Sequence, residues 1–209
     1  MGFRRSTMGR EMTILFALLL STQRLLLADV PLAELAKEDA FAKAYEASRS
    51  GDAATARKEL MNATSSRETR VRLLAWNALR AMGMQPGADE AWIVRGVVME
   101  SQEHALAVYE DGSVRWKDGV LESPGSNKEL MRLVKTLTTG AERAMKTARP
   151  MPHADATPVG KDRVRLTVLT FAGFYVIDVH GSALNEEHPV TAPLQAATRI
   201  LGMLDPTDE

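Results

Sequence analysis

The chain has 209 residues, of which 45% are apolar and 25% are charged, and its formal net charge at pH 7 is −1. These values are typical of a globular protein with one domain and an appendage, or with two small domains. The balanced charge provides no global field that would attract nucleic acid or anionic lipid. The absence of cysteine excludes disulfides, thiol catalysis and metal sites built on cysteine.

The first 28 residues combine a basic start with an apolar run over residues 12–20, which is the outline of a secretory signal. Arg24 follows the run closely, and Leu26 occupies a position before the best cleavage point where a small residue is preferred. The run is also shorter than the roughly 20 residues that a spanning helix needs. We therefore predict a cytoplasmic protein. The alternative is a periplasmic or membrane-associated protein tethered through residues 12–27.

Residues 29–86 are predicted to be helical, because their apolar residues recur at helical spacing. Gly51 suits the left-handed residue after a helix, and Asp52 can accept the first amides of the next helix. The pattern predicts three helices, over residues 32–50, 53–63 and 66–82.

The first two of these helices resemble one tetratricopeptide repeat in their small and apolar positions, which are Ala44, Ala47, Gly51, Asp52, Ala56, Leu60 and Ala63. The large aromatic residue at the head of that motif is missing, and no second copy follows. A single repeat cannot form the groove that stacked repeats use to bind peptides. We therefore interpret the three helices as a packed layer, with a partial partner-binding groove as the alternative.

Residues 87–204 are predicted to form an α+β sheet domain, because short apolar runs alternate there with turn signals. The first strands are expected over residues 93–99, 106–109 and 113–116. A helix should follow from Ser126, with Glu129 completing a capping box, to about Lys146. Three prolines then predict a loop over residues 149–161. The last expected elements are a hairpin over residues 163–179, a helix over residues 193–204 and an acidic tail over residues 205–209.

This order, α-β-β-β-α-β-β-α, predicts a small antiparallel sheet flanked by helices. It is similar to the order in Roadblock, longin and profilin-like domains, although only two strands are evident after the middle helix. In addition, the stretch from Leu106 to Trp116 resembles a segment of uncharacterised bacterial proteins that also place helices before a hairpin. These resemblances imply a fold, and they imply no activity or function.

Side chains that could perform catalysis are few. A site built from Asp178, His180 and His188, with Glu187 nearby, would support a hydrolase or a metal-dependent enzyme. No nucleophile or complete ligand set converges there in the sequence, so an exposed loop with solvated charges is the favoured interpretation. The sequence predicts no cofactor, because phosphate-binding glycine motifs and zinc-ligand spacings are absent from it.

We therefore predict a non-enzymatic protein-interaction or regulatory adaptor, which binds a protein partner or a second copy of itself. Arginines on the third helix and on the strands, interleaved with tryptophans, offer nucleic-acid binding as a weaker alternative, because glutamates lie among them. The remaining alternatives are the enzyme and an exported accessory protein. The residues predicted to contact a protein partner are Trp92, Tyr109, Arg115 and Trp116.

Overall fold

The computed structural model describes residues 35–37, 39–116, 119–121, 127–151 and 159–204. The fold is α+β, as the sequence predicts, with helices packed on both faces of an antiparallel sheet. The apolar segment over residues 1–28 and the acidic tail over residues 205–209 lie outside the described residues.

Three helices, which we call the helical layer, come first in the described chain. Gly51 has a φ of +79°, and the Asp52 carboxylate accepts a 3.0 Å hydrogen bond from the Thr55 amide, so the predicted stop and cap are both present. The predicted bounds of the second helix are confirmed, and the third helix is shorter at both ends than predicted. The helices of the layer are α1 (Asp39–Arg49), α2 (Ala53–Ala63) and α3 (Thr69–Ala81).

Within the described residues, seven strands form one antiparallel sheet in the order β4-β3-β2-β1-β6-β7-β5. The strands are β1 (Gly96–Glu100), β2 (Ala105–Tyr109), β3 (Val114–Trp116), β4 (Gly119–Leu121), β5 (Arg149–Met151), β6 (Arg163–Thr170) and β7 (Gly173–His180). The other helices are α4 (Ala88–Ala91), α5 (Lys128–Ala144) and α6 (Thr191–Leu204).

Four details differ from the sequence prediction. The short helix α4 was not predicted, and β1 begins at Gly96 rather than at Ile93. The amide of Leu130 donates to the side chain of Asn127, so Asn127 caps α5, whereas the predicted cap, Ser126, lies outside the described residues. The predicted loop contains β5, which adds a third strand after the middle helix. Pro150 is tolerated in β5 because an edge strand has one side that needs no amide donor.

The two faces of the sheet carry separate cores. On the first face, the helical layer packs on alternate strand residues such as Val98, Leu169 and Val176. On the second face, α5 and α6 pack on the residues between them, such as Val97 and Val168. Because neighbouring strand residues point to opposite faces, the alternation in β6 and β7 assigns each side chain to one of these two cores.

Helices α5 and α6 approach each other closely at Gly140. A Cβ atom at this position would lie 2.8 Å from Cδ of Pro193, which is closer than two carbon atoms can pack. Glycine therefore sets the distance between the two helices at this crossing. Of the helices that the structure describes, none is long and apolar enough to span a membrane.

Candidate functional site

Asp178, a candidate residue of the enzyme alternative, belongs to a row of charges across four neighbouring strands. Glu100 on β1 lies opposite Arg165 on β6. Nε of Arg165 donates to Oδ1 of Asp178 at 3.0 Å, and Nη2 of Arg149 donates to Oδ2 at 3.2 Å. Both oxygens of the Asp178 carboxylate are therefore bound by guanidinium groups, and these contacts link β7 to its two neighbouring strands.

His180, at the end of β7, contacts Ser182 and lines an open cleft of about 510 Å³. Its Nδ1 lies 2.8 Å from Oγ of Ser182 and accepts a 3.3 Å hydrogen bond from the Ser182 amide. Because a backbone N–H only donates, Nδ1 is the acceptor of the bond from the Ser182 amide. The rest of the cleft is formed by Ser101, Gln102, Glu103, Asp162, Arg163, Val164 and Gly181.

This pair has only part of the geometry that serine catalysis needs. The nearby amide of Gly181 donates to the carbonyl of Asp162 at 2.7 Å, so it cannot stabilise an oxyanion. His188, which the sequence analysis placed with Asp178 and His180 as a candidate, accepts a local hydrogen bond from the Val190 amide at 3.4 Å. Among the described residues, no group of three His, Asp or Glu side chains is arranged to hold a metal ion.

The four residues predicted to contact a partner occupy three different environments. Tyr109 is 1% exposed and belongs to the core under the helical layer, so its ring is not at the surface. Arg115 and Trp116 are half-buried on the short strand β3. Trp92, which follows α4, is 56% exposed. Of the four, Trp92 therefore offers the largest exposed fraction.

The arginines and tryptophans predicted as a nucleic-acid surface are not arranged as one. Trp76 is 8% exposed and its ring packs on Phe171, with 6.0 Å between the ring centroids. Arg72 and Arg95 both bind the carboxylate of Glu110, with N–O distances of 2.6 and 2.9 Å. Trp76, Arg72 and Arg95 are therefore engaged in contacts within the protein.

The same residues form a junction between α3 and the sheet, which we call the Phe171 cluster: Arg72, Arg95, Glu110 and Phe171. The guanidinium of Arg95 lies 4.8 Å from the centre of the Phe171 ring, and that of Arg72 lies 6.0 Å from it. Both cations are therefore placed over an aromatic face and are bridged by one carboxylate.

Backbone hydrogen bonds tie the segment that carries Trp92 to this junction. The amide of Ala172 donates to the carbonyl of Ala91 at 2.8 Å, immediately before Trp92. After it, the amide of Arg95 donates to the carbonyl of Leu169 at 2.8 Å. The tryptophan is therefore exposed on a segment that is fixed on both sides.

Trp92 lies in an exposed apolar surface that we call the Trp92 strip: Trp92, Ile93, Pro150 and Tyr175. The rings of Trp92 and Tyr175 are 5.8 Å apart between centroids and are inclined at 48°. Pro150 lies directly opposite Tyr175 across β5 and β7, so their side chains share a face of the sheet. Ile93, the next residue in the chain after Trp92, is 40% exposed. The strip thus runs from the end of α4 to the edge of the sheet.

Polar groups of the strip are available for binding. No hydrogen bond is formed by Nε1 of Trp92 or by the Tyr175 hydroxyl within the described part of the chain. Burial raises the pKa of Tyr175, against a smaller lowering by the positive charge of Arg80, so the hydroxyl stays protonated. Both rings therefore present a hydrogen-bond donor.

The sequence analysis found Trp92 but not the rest of the strip. Tyr175 and Pro150 lie far along the chain from Trp92, and only the pairing of β5 with β7 brings them together. Ile93 was assigned to a strand. The one local signal was the pair of adjacent large apolar residues at positions 92 and 93, which directly follow α4.

Comparison with protein-family models, with curated proteins and with solved structures finds no match for this chain. The assignment of a function therefore depends on the geometry of the His180 cleft and of the Trp92 strip.

Proposed function

We propose that this chain is a non-enzymatic protein-interaction module, and that the Trp92 strip is its binding surface. The observation that carries the proposal is the large exposed fraction of Trp92 on a segment anchored on both sides. Leaving a large aromatic ring in water forgoes about 1.5–3 kcal/mol of burial free energy. Tryptophan and tyrosine are also the residues that most often dominate binding energy in protein interfaces.

The rigidity of the segment supports the same function. Binding costs free energy when mobile side chains and loops become ordered. The hydrogen bonds from Ala172 and Arg95 hold the backbone on either side of Trp92, so little of this cost remains. A partner would therefore meet a surface that is already arranged.

The hydrolase alternative is less well supported. It would depend on His180 and Ser182, since Asp178 is bound by two arginines and His188 by a local amide. A nucleophile and a base without an oxyanion donor or an orienting group form an incomplete catalytic set. A cytoplasmic location, the tetratricopeptide-like helices and the Roadblock-like or longin-like sheet stay predictions, and the proposed function does not depend on them. The alternative of an exported or tethered accessory protein differs in location and would leave the binding surface the same.

The proposal is tested by placing the photoreactive residue p-benzoylphenylalanine at position 92 of the full chain in its native cells. The matched control carries it at Met61, which is 40% exposed on the helical layer. We expect a crosslinked protein of discrete mass from position 92 that position 61 does not give. Equal or absent crosslinking at the two positions would contradict an interaction through the strip.

A further inference from the structure

The outward face of α5 carries a row of basic side chains. Residues that are 3, 4, 7 or 8 positions apart in an α-helix lie along one face. Four basic residues of α5 have this spacing, and the 3-10 turn Met145–Thr147 directly after the helix supplies a fifth. All five side chains are exposed. We call them the basic stripe: Lys128, Arg132, Lys135, Arg143 and Lys146.

The charge of this segment differs from that of the whole chain. Residues 128–146 contain five basic and two acidic residues, so their net charge is +3, whereas the net charge of the chain is −1. One of the carboxylates, Glu129, pairs with Arg132 at 2.6 Å, and the other, Glu142, is exposed. The other four basic side chains form no ion pair with a described residue. Positive charge is therefore concentrated along about 27 Å of helix.

The neighbouring helix α6 does not offset this charge. Its one charged residue is Arg199. A hydrogen bond from Arg132 lowers the pKa of Glu129, and the positive charges of Arg132 and Arg199 lower it by smaller amounts. Arg199 therefore lies close enough to the first turn of α5 to act on it, and adds a sixth cation to this side of the molecule.

The stability of α5 does not account for the basic stripe. Lys128 is the first residue of the helix, where the positive end of the helix dipole disfavours a cation. Arg132 follows it after four residues and Lys135 follows Arg132 after three, and like charges at these spacings repel each other. A ligand with negative charge would remove this repulsion.

The residue types of the two helices distinguish between anionic ligands. Proteins that bind single-stranded nucleic acid stack bases on aromatic rings, and neither α5 nor α6 contains an aromatic residue. Lysine is depleted in protein interfaces, whereas three of the five stripe residues are lysines. A bilayer with anionic headgroups requires only basic side chains close to its surface. Each helix also exposes one apolar side chain suited to the headgroup boundary, Met131 and Met203.

We infer that the basic stripe binds the surface of a membrane that contains anionic lipids, with α5 lying along the membrane plane. This inference goes beyond the proposed function and does not depend on it, because no residue of the Trp92 strip takes part.

The test is flotation of the full-length protein with lipid vesicles, made either of phosphatidylcholine alone or of phosphatidylcholine mixed with phosphatidylglycerol. The stripe variant is Lys128→Gln, Lys135→Gln, Lys146→Gln, in which glutamine removes the charge and favours a helix about as well as lysine does. Circular dichroism checks that its helix content is unchanged.

The matched control is the triple variant Lys37→Gln, Lys43→Gln, Lys58→Gln. These three lysines are exposed in the helical layer or just before it. The two variants have the same net charge, so they differ only in where the three charges are removed. Any apolar attachment through residues 12–27 would be common to both variants, and therefore cancels in the comparison.

We expect phosphatidylglycerol to strengthen the binding of the unaltered chain, and salt at about 0.15 M to weaken it by screening. Each basic residue near an anionic surface contributes about fivefold to binding, so the partition coefficient of the stripe variant should fall about a hundredfold on the mixed vesicles. The control variant should bind much as the unaltered chain does.

Equal losses in the two variants would overturn the inference, because net charge and not the stripe would then set the binding. Binding of the unaltered chain that ignores phosphatidylglycerol would also overturn it, and this measurement needs no variant. If the stripe variant lost binding to duplex DNA but not to vesicles, the ligand would be nucleic acid and the inference would be wrong. Crosslinking from position 92 does not depend on these outcomes, so the proposed function and this inference can fail separately.

Discussion

The two faces of the sheet are stabilised by different kinds of contact. On the second face, α5 and α6 cover aliphatic residues such as Leu137, Leu166 and Ile200, and the closest approach is set by Gly140. On the first face, the helical layer covers aliphatic and aromatic residues, and its border with the sheet includes the Phe171 cluster and the charged row through Arg165.

This difference separates stabilisation by shape from stabilisation by charge. The second face depends on volume and close packing, which change little with salt or pH. The first face also depends on carboxylates that hold arginines at buried and half-buried positions, and these contacts respond to charge removal, salt and acid. Arg95 belongs to the Phe171 cluster on the first face and also follows Trp92 closely in the chain. The position of the Trp92 segment therefore depends on this cluster.

The largest effect is expected on the second face, from Gly140→Ala. The added Cβ would meet Pro193 at 2.8 Å, so the two helices must separate or shift. We expect the free energy of unfolding to fall by about 1–3 kcal/mol, even though alanine favours a helix more than glycine does. Urea unfolding followed by circular dichroism measures this change.

Gly202→Ala in α6 is the matched control, because nothing lies within 4 Å of the Cβ that it would add. Here the helix propensity acts alone, and we expect a gain of about 0.5–1 kcal/mol. If the two substitutions changed stability in the same direction, close packing at Gly140 would not be what limits the second face.

An intermediate effect is expected on the first face, from Glu110→Gln. The variant leaves the guanidiniums of Arg72 and Arg95 close together without a counter-charge. We expect a loss of about 1–2 kcal/mol, smaller than for a fully buried pair because all three side chains retain some exposure. Adding salt should recover part of the loss by screening the two cations.

Glu129→Gln provides the control for this substitution, since Glu129 forms an exposed ion pair with Arg132 at 2.6 Å on α5. Exposed pairs contribute little, so the midpoint of thermal unfolding should not change measurably. An equal loss in the two variants would mean that burial at the Phe171 cluster adds nothing to its ion pairs.

The smallest effect is expected from the pH dependence of Asp111. Burial tends to raise the pKa of this carboxyl, but hydrogen bonds from Ser113 and Thr69 together bring it below the ordinary value of 3.8. Since the folded pKa is lower than the unfolded one, the stabilisation is complete above the unfolded pKa. It is lost as the pH falls through the folded pKa.

Asp111→Asn should therefore lower the free energy of unfolding by about 0.5–1 kcal/mol at pH 7, and by less as the pH falls below 4. Urea unfolding of both proteins at pH 7, 5 and 3 measures the difference. A difference that stayed constant over this range would assign the effect to the shape of the turn rather than to the charge.

Local sequence patterns predicted the elements whose signals lie within a few residues. The bounds of α2 follow from Asp52 at its start, and the β6–β7 hairpin follows from alternation on both sides of Gly173. The turn at Asp111 and Gly112 was also predicted correctly, with Gly112 at a φ of +83°. These features depend on local backbone preferences, which one sequence contains.

Features that depend on distant partners could not be predicted. Ile93 has the composition of a strand residue, but β1 starts at Gly96, where pairing with β6 begins. Tyr109 was predicted at a surface, although its place on the same face as Ala107 puts it under the helical layer. Of the proposed binding surface, the sequence analysis named Trp92 and missed Tyr175, since a contact between rings far apart in the chain leaves no periodic signal.

The hydrogen bond from the Thr69 amide to Oδ2 of Asp111, at 2.6 Å, also has a consequence for the order of folding. Glu68 makes no side-chain cap to α3, so the first turn of this helix obtains its acceptor from the β2–β3 turn. During synthesis α3 emerges before that turn exists, and contacts between distant parts of a chain form late. We expect the start of α3 to remain frayed on the ribosome until the β2–β3 hairpin closes. The helical layer is then completed by a residue of the turn between these two strands.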